Sequence, residues 1–193
     1  MGELVITFGP MFSGKTGDLI RMIRKKFLLK DLKNEKYSAL VISFAGDKRD
    51  AKQIENLTTH DEIISNDPFP PSVEFISTYT LDEVRDRVNL YDHISIDEAQ
   101  FFPDLIPFIE EALEMGKFIH CAGLIADSDI KKFGNLLDLF PLASSLYHKR
   151  AYCVHCFQEA SFTKYIGKEE KDGQKKIGAK GDYVPTCGKC YKI

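Results

Sequence analysis

The sequence lacks any apolar run approaching the roughly 20 residues that cross a membrane as a helix, which excludes a membrane-spanning helix. Charge of one sign is also scarce. The chain carries 26 basic and 29 acidic side chains, a formal net charge of −3, so overall charge calls for no nucleic-acid or membrane partner. There is no basic-then-apolar leader: Met1, Gly2 and Glu3 run straight into a strand-like segment, and no export is expected. Gly2 raises the question of N-myristoylation, but Ile6 stands where that motif requires Ser or Thr. Internal repeats and low-complexity tracts are missing too. What remains is an ordinary globular composition, 44% hydrophobic and 28% charged over 193 residues, enough for one sizeable core and a small appendage. The expected compartment is the cytoplasm. Thiols stay reduced there, so paired Cys-x-x-Cys motifs read as metal ligands before disulfides.

Five short runs rich in Val, Ile and Phe predict buried parallel strands: Leu4 to Phe8, Ala39 to Phe44, Val73 to Ser77, His93 to Ile96 and Phe118 to Ala122. Helical spacing lies between some of them. Leu19, Ile20, Ile23, Phe27 and Leu28 form one apolar stripe. Leu81, Val84 and Val88 form a second, behind a capping box of Thr80 and Glu83. Leu105, Phe108, Ile109, Ala112 and Leu113 form a third, ended by Gly116. Strands alternating with helices predict an α/β domain with a parallel sheet. Gly46 to Pro71 is polar, carries Pro68, Pro70 and Pro71, and reads as a long loop. After about Tyr147 cysteines and lysines take over. The expected division is therefore a nucleotide-binding α/β domain at 1–146 and a small metal-binding domain at 147–193. That second segment holds ten Lys/Arg against five acids, net +5, which leaves −8 for the rest.

Gly9, Pro10, Met11, Phe12, Ser13, Gly14, Lys15 and Thr16 fit G-x-x-x-x-G-K-[ST] in full, between a strand-like run and an amphipathic helix. Such a loop wraps its N–H groups around phosphates, and the helix N-terminus adds partial positive charge. Lys15 would reach the β- and γ-phosphates of ATP, and the Thr16 hydroxyl would ligate Mg2+. His93 to Ile96 then runs into Asp97 and Glu98, a strand ending in two acids at the edge where a P-loop fold needs a magnesium carboxylate. Asp97 would hold the ion through water. Glu98 would sit where a general base takes a proton from an acceptor hydroxyl or a water.

Cys153-x2-Cys156 and Cys187-x2-Cys190 bracket 30 residues. Two such knuckles supply four thiolates for one structural Zn2+ with no open coordination position. A redox dithiol is the alternative, although neither pair follows a thioredoxin-like βαβ pattern. Cys121 reads as inert core. The lysine- and glycine-rich loop between the knuckles, pinned at both ends by one metal, reads as a lid over a small substrate, with a passive surface loop as the alternative.

These residues resemble the type II thymidine kinases over essentially the whole chain. Beyond the 9–16 loop, the matches are Thr59-His60-Asp61, the run Asp97 to Phe102, Ala122-Gly123-Leu124 and Phe133-Gly134-Asn135 to Pro141-Leu142-Ala143. They end with Cys153-x2-Cys156-Phe157-x-Glu159-Ala160, Thr163-Lys164 and Tyr183-x3-Cys187-x2-Cys190. The resemblance implies an ATP-dependent kinase that phosphorylates thymidine and deoxyuridine. Glu98 would deprotonate the 5′-hydroxyl, and Gln100 would lie along the ATP and sugar side. Met11, Phe101, Leu124, Phe133, Thr163 and Tyr183 would border the nucleoside. The zinc-pinned loop would be a lasso whose backbone at Gln174, Lys175, Lys176, Ile177 and Gly178 reads the base edge. It further implies a homotetramer inhibited by deoxythymidine triphosphate.

Two positions depart from the family. Ser128 stands where the family has a pocket phenylalanine, with Asp127 and Asp129 beside it, and Glu62 follows Thr59-His60-Asp61 where many members carry Arg or a neutral residue. Losing an aromatic wall forfeits on the order of a kcal/mol of stacking, so the same fold with a shifted nucleoside preference stays open. A zinc module that binds nucleic acid beside an ATPase stays open through the basic tail, although that tail's aromatics form no stacking platform. A non-catalytic nucleotide sensor is the remaining alternative.

Overall fold

A computed structural model describes residues 1–46, 69–167 and 181–192. The strands of its main sheet are β1 (Glu3–Phe8), β2 (Ala39–Phe44), β3 (Val73–Thr78), β4 (His93–Ile96), β5 (Phe118–Gly123) and β6 (Ser145–His148). They form one sheet in the order β3-β2-β4-β5-β1-β6, and every pairing is parallel. The five expected strands are present within a residue of their expected ends. The sixth, β6, was not anticipated. It is a short edge strand whose Leu146 and Tyr147 are about half exposed, so it lacks the apolar signature of a buried strand.

Period-two alternation sorts the strand residues onto the two faces of the sheet. Leu4, Ile6, Leu40, Ile42, Ile94, Ile96, Ile119 and Cys121 join the larger core cluster on one face. Helix α2 (Leu105–Glu114) covers that face, together with 3-10 segments at Leu81–Leu90 and Leu136–Leu142. Ala39, Val41 and Ala122 join Leu19 and Ile23 of helix α1 (Lys15–Asp31) on the other face. Helix α2 ends at Gly116 (φ 76°) in a Schellman motif: Lys117 N–H reaches Ala112 O at 3.1 Å and Gly116 N–H reaches Leu113 O at 3.0 Å. The expected helix at residues 81–88 is a 3-10 segment instead. Its β-branched Val84 and Val88 and its Asp82, Asp86 and Asn89 weaken the α-helix. Its capping box is incomplete: Thr80 and Glu83 meet side chain to side chain at 3.2 Å, Thr80 makes no cap bond to the backbone, and the Asp82 N–H is instead taken by Asp104 Oδ2 at 2.8 Å.

Past β6 the chain builds two small hairpins. One pairs β7 (Ala151–Tyr152) with β8 (Glu159–Ala160), the other pairs β9 (Phe162–Tyr165) with β10 (Tyr183–Thr186), and both are antiparallel. A single helical turn, α3 (Gly188–Tyr191), closes the chain.

Candidate active site

Strands β1 and β4 end on the same edge of the sheet, with β5 between them. That edge collects the two elements singled out in the sequence, the 9–16 loop and Asp97-Glu98, where doubly wound sheets place their ligands. Gly14, in the left-handed region at φ 77°, starts α1 and has no side chain with which to cap it. The first-turn N–H groups of α1 therefore point into the loop, with the positive end of the helix dipole behind them. Within the loop, the Pro10 carbonyl accepts from Ser13 Oγ and from Lys15 Nζ, both at 2.8 Å. The Thr16 hydroxyl lies 3.0 and 3.2 Å from the two carboxylate oxygens of Asp97. Asp97 is buried at the end of β4, and its N–H is held by Ile42 O at 2.9 Å. A hydroxyl and a carboxylate side by side are hard oxygen donors of the kind Mg2+ takes.

Glu98 follows directly. It adopts a left-handed conformation, φ 51° and ψ 42°, which costs a non-glycine residue about 1–3 kcal/mol and is typical of functional sites. Its Oε2 accepts from Gln100 Nε2 at 2.7 Å. The other end of the same amide, Gln100 Oε1, accepts from Leu124 N–H at 2.9 Å just past β5. Phe101 stacks on Phe44 (centroids 5.0 Å apart, 21° between planes) and meets Phe133 edge-on (5.4 Å, 88°). Phe44 was foreseen only as strand core. Its position at the very end of β2 makes it part of this aromatic wall.

The loop from Ile125 to Phe133, which carries Ser128, is a tight hairpin. Phe133 N–H returns to Ile125 O at 3.0 Å, and Asp127 N–H reaches Lys131 O at 2.9 Å. Asp127 Oδ1 accepts from the N–H groups of Asp129 (2.8 Å) and Lys131 (2.9 Å). This carboxylate thus has a local turn-forming role. Ser128 is buried, and its carbonyl accepts from the Tyr191 hydroxyl of α3.

The C-terminal hairpins touch the phosphate loop as well. Met11 N–H donates to Thr163 Oγ1 on β9 at 3.0 Å. Tyr183 pairs with Tyr165 across the hairpin and packs against its ring, with centroids 5.1 Å apart. Gln174, Lys175, Lys176, Ile177 and Gly178, along with Thr59-His60-Asp61 and Glu62, lie outside the described residues.

The Sγ atoms of Cys153, Cys156, Cys187 and Cys190 all lie within 4.8 Å of one another. Tetrahedral thiolates at 2.3 Å from zinc stand about 3.8 Å apart, so the cluster fits a structural zinc site. Backbone bonds shape each knuckle: Phe157 N–H to Cys153 O and Tyr191 N–H to Cys187 O, both at 2.9 Å. Val154 N–H reaches Pro185 O at 3.2 Å and joins the two. Cys121 stands apart in the core, where burial pushes its thiol far above the ordinary range. No helix among the described residues is long and apolar enough to cross a membrane.

The family model described as thymidine kinase matches residues 2–191. The thymidine kinase of Sheeppox virus (strain KS-1) is 34% identical over 190 residues, which cover 98% of this chain and 97% of that protein. The thymidine kinase of Variola virus is 34% identical over the same shares. That of Vaccinia virus (strain Western Reserve) is 33% identical over 98% of this chain and 97% of its own length.

Proposed function

The chain belongs to the thymidine kinase family, and from that premise we propose that it transfers the γ-phosphoryl group of ATP to the 5′-hydroxyl of thymidine, and of deoxyuridine. In this reading the 5′-oxygen attacks the γ-phosphorus as the bond to the β-phosphate oxygen breaks. The products are the nucleoside monophosphate and ADP, and the hydroxyl proton goes to Glu98 and then to water. Residues Gly9 to Thr16 cradle the triphosphate, and Lys15 offsets charge on the β- and γ-phosphates. Thr16 and Asp97 would hold Mg2+, which would supply charge neutralisation for the transferring phosphoryl group. Met11, Phe101, Leu124, Phe133, Thr163 and Tyr183 border the nucleoside, with the lasso at 174–178 over its base. The α/β unit and the cysteine-bearing unit are the two functional units, and Zn2+ in the cysteine cluster is structural. Their boundary lies after β6 rather than at 146/147, because Tyr147 and His148 pair with Thr7 and Phe8 in the main sheet.

One observation carries this reading. Thr16 of the phosphate loop lies beside Asp97, and Glu98 is the next residue, so a donor grip and a base share one sheet edge. A homotetramer inhibited by deoxythymidine triphosphate belongs to the same proposal. Exposed Leu28 and Leu29 on α1 and Leu32 just past its end (56%, 47% and 71% exposed) support contact between subunits. The four clustered thiols, which need a reducing compartment, support a cytoplasmic location. The test is transfer of labelled phosphoryl from ATP to thymidine, deoxyuridine and the other deoxynucleosides in parallel. Thymidine no better than water as acceptor sinks the substrate assignment.

Ser128 favours a second reading, the same chemistry on a different nucleoside. If stacking has been lost at this position, Ser128→Phe raises thymidine affinity. Unchanged affinity counts against this reading.

A further inference from the structure

We propose that Gln100 is the residue that positions Glu98 for proton transfer, through a side-chain amide clamped between the Glu98 carboxylate and the Leu124 backbone. The proposal rests on the reading of Glu98 as the base.

The geometry assigns both ends of the amide. A backbone N–H only donates, so the atom facing Leu124 N–H at 2.9 Å is the amide oxygen. The amide nitrogen therefore points at Glu98 Oε2, 2.7 Å away, and the bond is a charge-assisted one. Gln100 is 4% exposed, which shields its amide from bulk solvent. Its seat is closely fitted. A Cβ on Gly123 would stand 2.3 Å from Gln100 Oε1, and a Cβ on Gly134 would stand 2.1 Å from the Gln100 backbone oxygen. Gly134 also holds φ 60°, which favours glycine. The clamp thus fastens Glu98 to the end of β5, a central strand. A rigid donor at one carboxylate oxygen restrains the turn of Glu98 about its terminal bond, and Glu98 sits on backbone in the left-handed region. Misplacing a reacting group by about 1 Å costs on the order of 10²-fold in rate. Gln100 therefore acts on turnover through Glu98, with both ends of its amide engaged by the protein in place of the ATP-side contact that the family resemblance implies.

Gln100→Glu tests this with little change of shape. The new side chain still accepts from Leu124 N–H but sets an oxygen against Glu98 in place of the donor. Turnover is expected to fall by about 30-fold or more, with KM for ATP and for thymidine within about threefold of wild type. The thermal midpoint should drop in Gln100→Glu and recover in the Glu98→Gln/Gln100→Glu double variant, where an amide again faces a carboxylate. Gln100→Met, uncharged and of similar length, removes both bonds and should show the same split of kcat from KM if the first variant folds poorly.

A Gln100→Glu kcat within about threefold of wild type overturns the proposal. So does a KM for ATP that rises more than kcat falls, which makes Gln100 a nucleotide contact. A double variant no more stable than Gln100→Glu overturns it as well. The single variant Glu98→Gln keeps the two assignments apart. If it retains wild-type turnover, the base assignment fails. If it is inactive while Gln100→Glu is not, only the positioning role fails.

Discussion

Met11 N–H donates to the Thr163 hydroxyl at 3.0 Å, so the phosphate loop after the first strand is held by a hairpin 152 residues further along the chain. Thr163→Val keeps the shape and removes the acceptor, leaving a partly buried N–H without it. That costs about 1–3 kcal/mol. A denaturant midpoint should move accordingly, and KM for ATP or thymidine should rise. Thr163→Ser keeps the hydroxyl and should stay near wild type. A Val variant indistinguishable from wild type in both measurements removes the hydroxyl from the account.

The same hairpin depends on the cysteine cluster, because β10 runs straight into Cys187 and Val154 N–H bonds to Pro185 O. Purified protein should contain one zinc per chain. Chelation, or Cys153→Ser, should lower the thermal midpoint and weaken nucleotide binding together, since the metal contributes folding free energy. Cys121→Ser should leave the zinc content unchanged. Elemental analysis with a melting curve checks all three, and full stability without zinc contradicts a structural role.

Gly134 faces the backbone of Gln100 and Gly123 faces its amide oxygen. Gly123→Ala should therefore push the Gln100 amide away and lower kcat by about tenfold or more, with smaller changes in KM. Gly116 holds a similar φ of 76°, but a Cβ there meets nothing within 4 Å. Gly116→Ala should then cost only the strain of its backbone conformation, about 1 kcal/mol, and leave kcat intact. Steady-state kinetics on the pair separates the two cases.

Two buried histidines make stability depend on pH. His120 on β5 pairs with Thr7 Oγ1 at 2.8 Å, and His93 on β4 pairs with Tyr37 OH (2.6 Å) and Ser95 Oγ (2.9 Å). Burial pushes His120 down to about 4, against the pull of the Asp18 carboxylate. Burial also holds His93 well below its ordinary value, helped by the repulsion that a protonated His120 would exert and by Lys26. The folded chain thus keeps both rings neutral in a range where the unfolded chain protonates them. Their contribution is complete above about pH 6.5 and is lost as pH falls toward 4. For His120 alone this amounts to about 3 kcal/mol. Urea unfolding between about pH 4 and 7 should show this slope, and His120→Gln should flatten it. A level profile in the wild type contradicts the burial argument.

Much of this was legible in the sequence. The phosphate loop, Asp97 and Glu98, and the paired cysteines are chemistry written in contiguous residues, and buried parallel strands announce themselves by apolar runs. What was hidden depends on contacts across the chain or on exposure. β6 is too exposed to read as a strand. The 81–90 segment has helical spacing, and its backbone is nevertheless 3-10. Gln100 meets Leu124 only because β4 and β5 lie side by side. The Asp127 turn uses an ordinary Asx signal that the sequence carried and the reading of Ser128 passed over.

The central claim is that the donor grip and Glu98 at one sheet edge carry out phosphoryl transfer to a nucleoside. The most direct measurement follows the γ-phosphoryl label of ATP, with Mg2+ and thymidine, in wild type and Glu98→Gln. The account predicts label in thymidine 5′-monophosphate, with turnover about 10²-fold lower or more in the variant and ATP binding retained. Label released only as inorganic phosphate, or equal turnover in the two proteins, would contradict it.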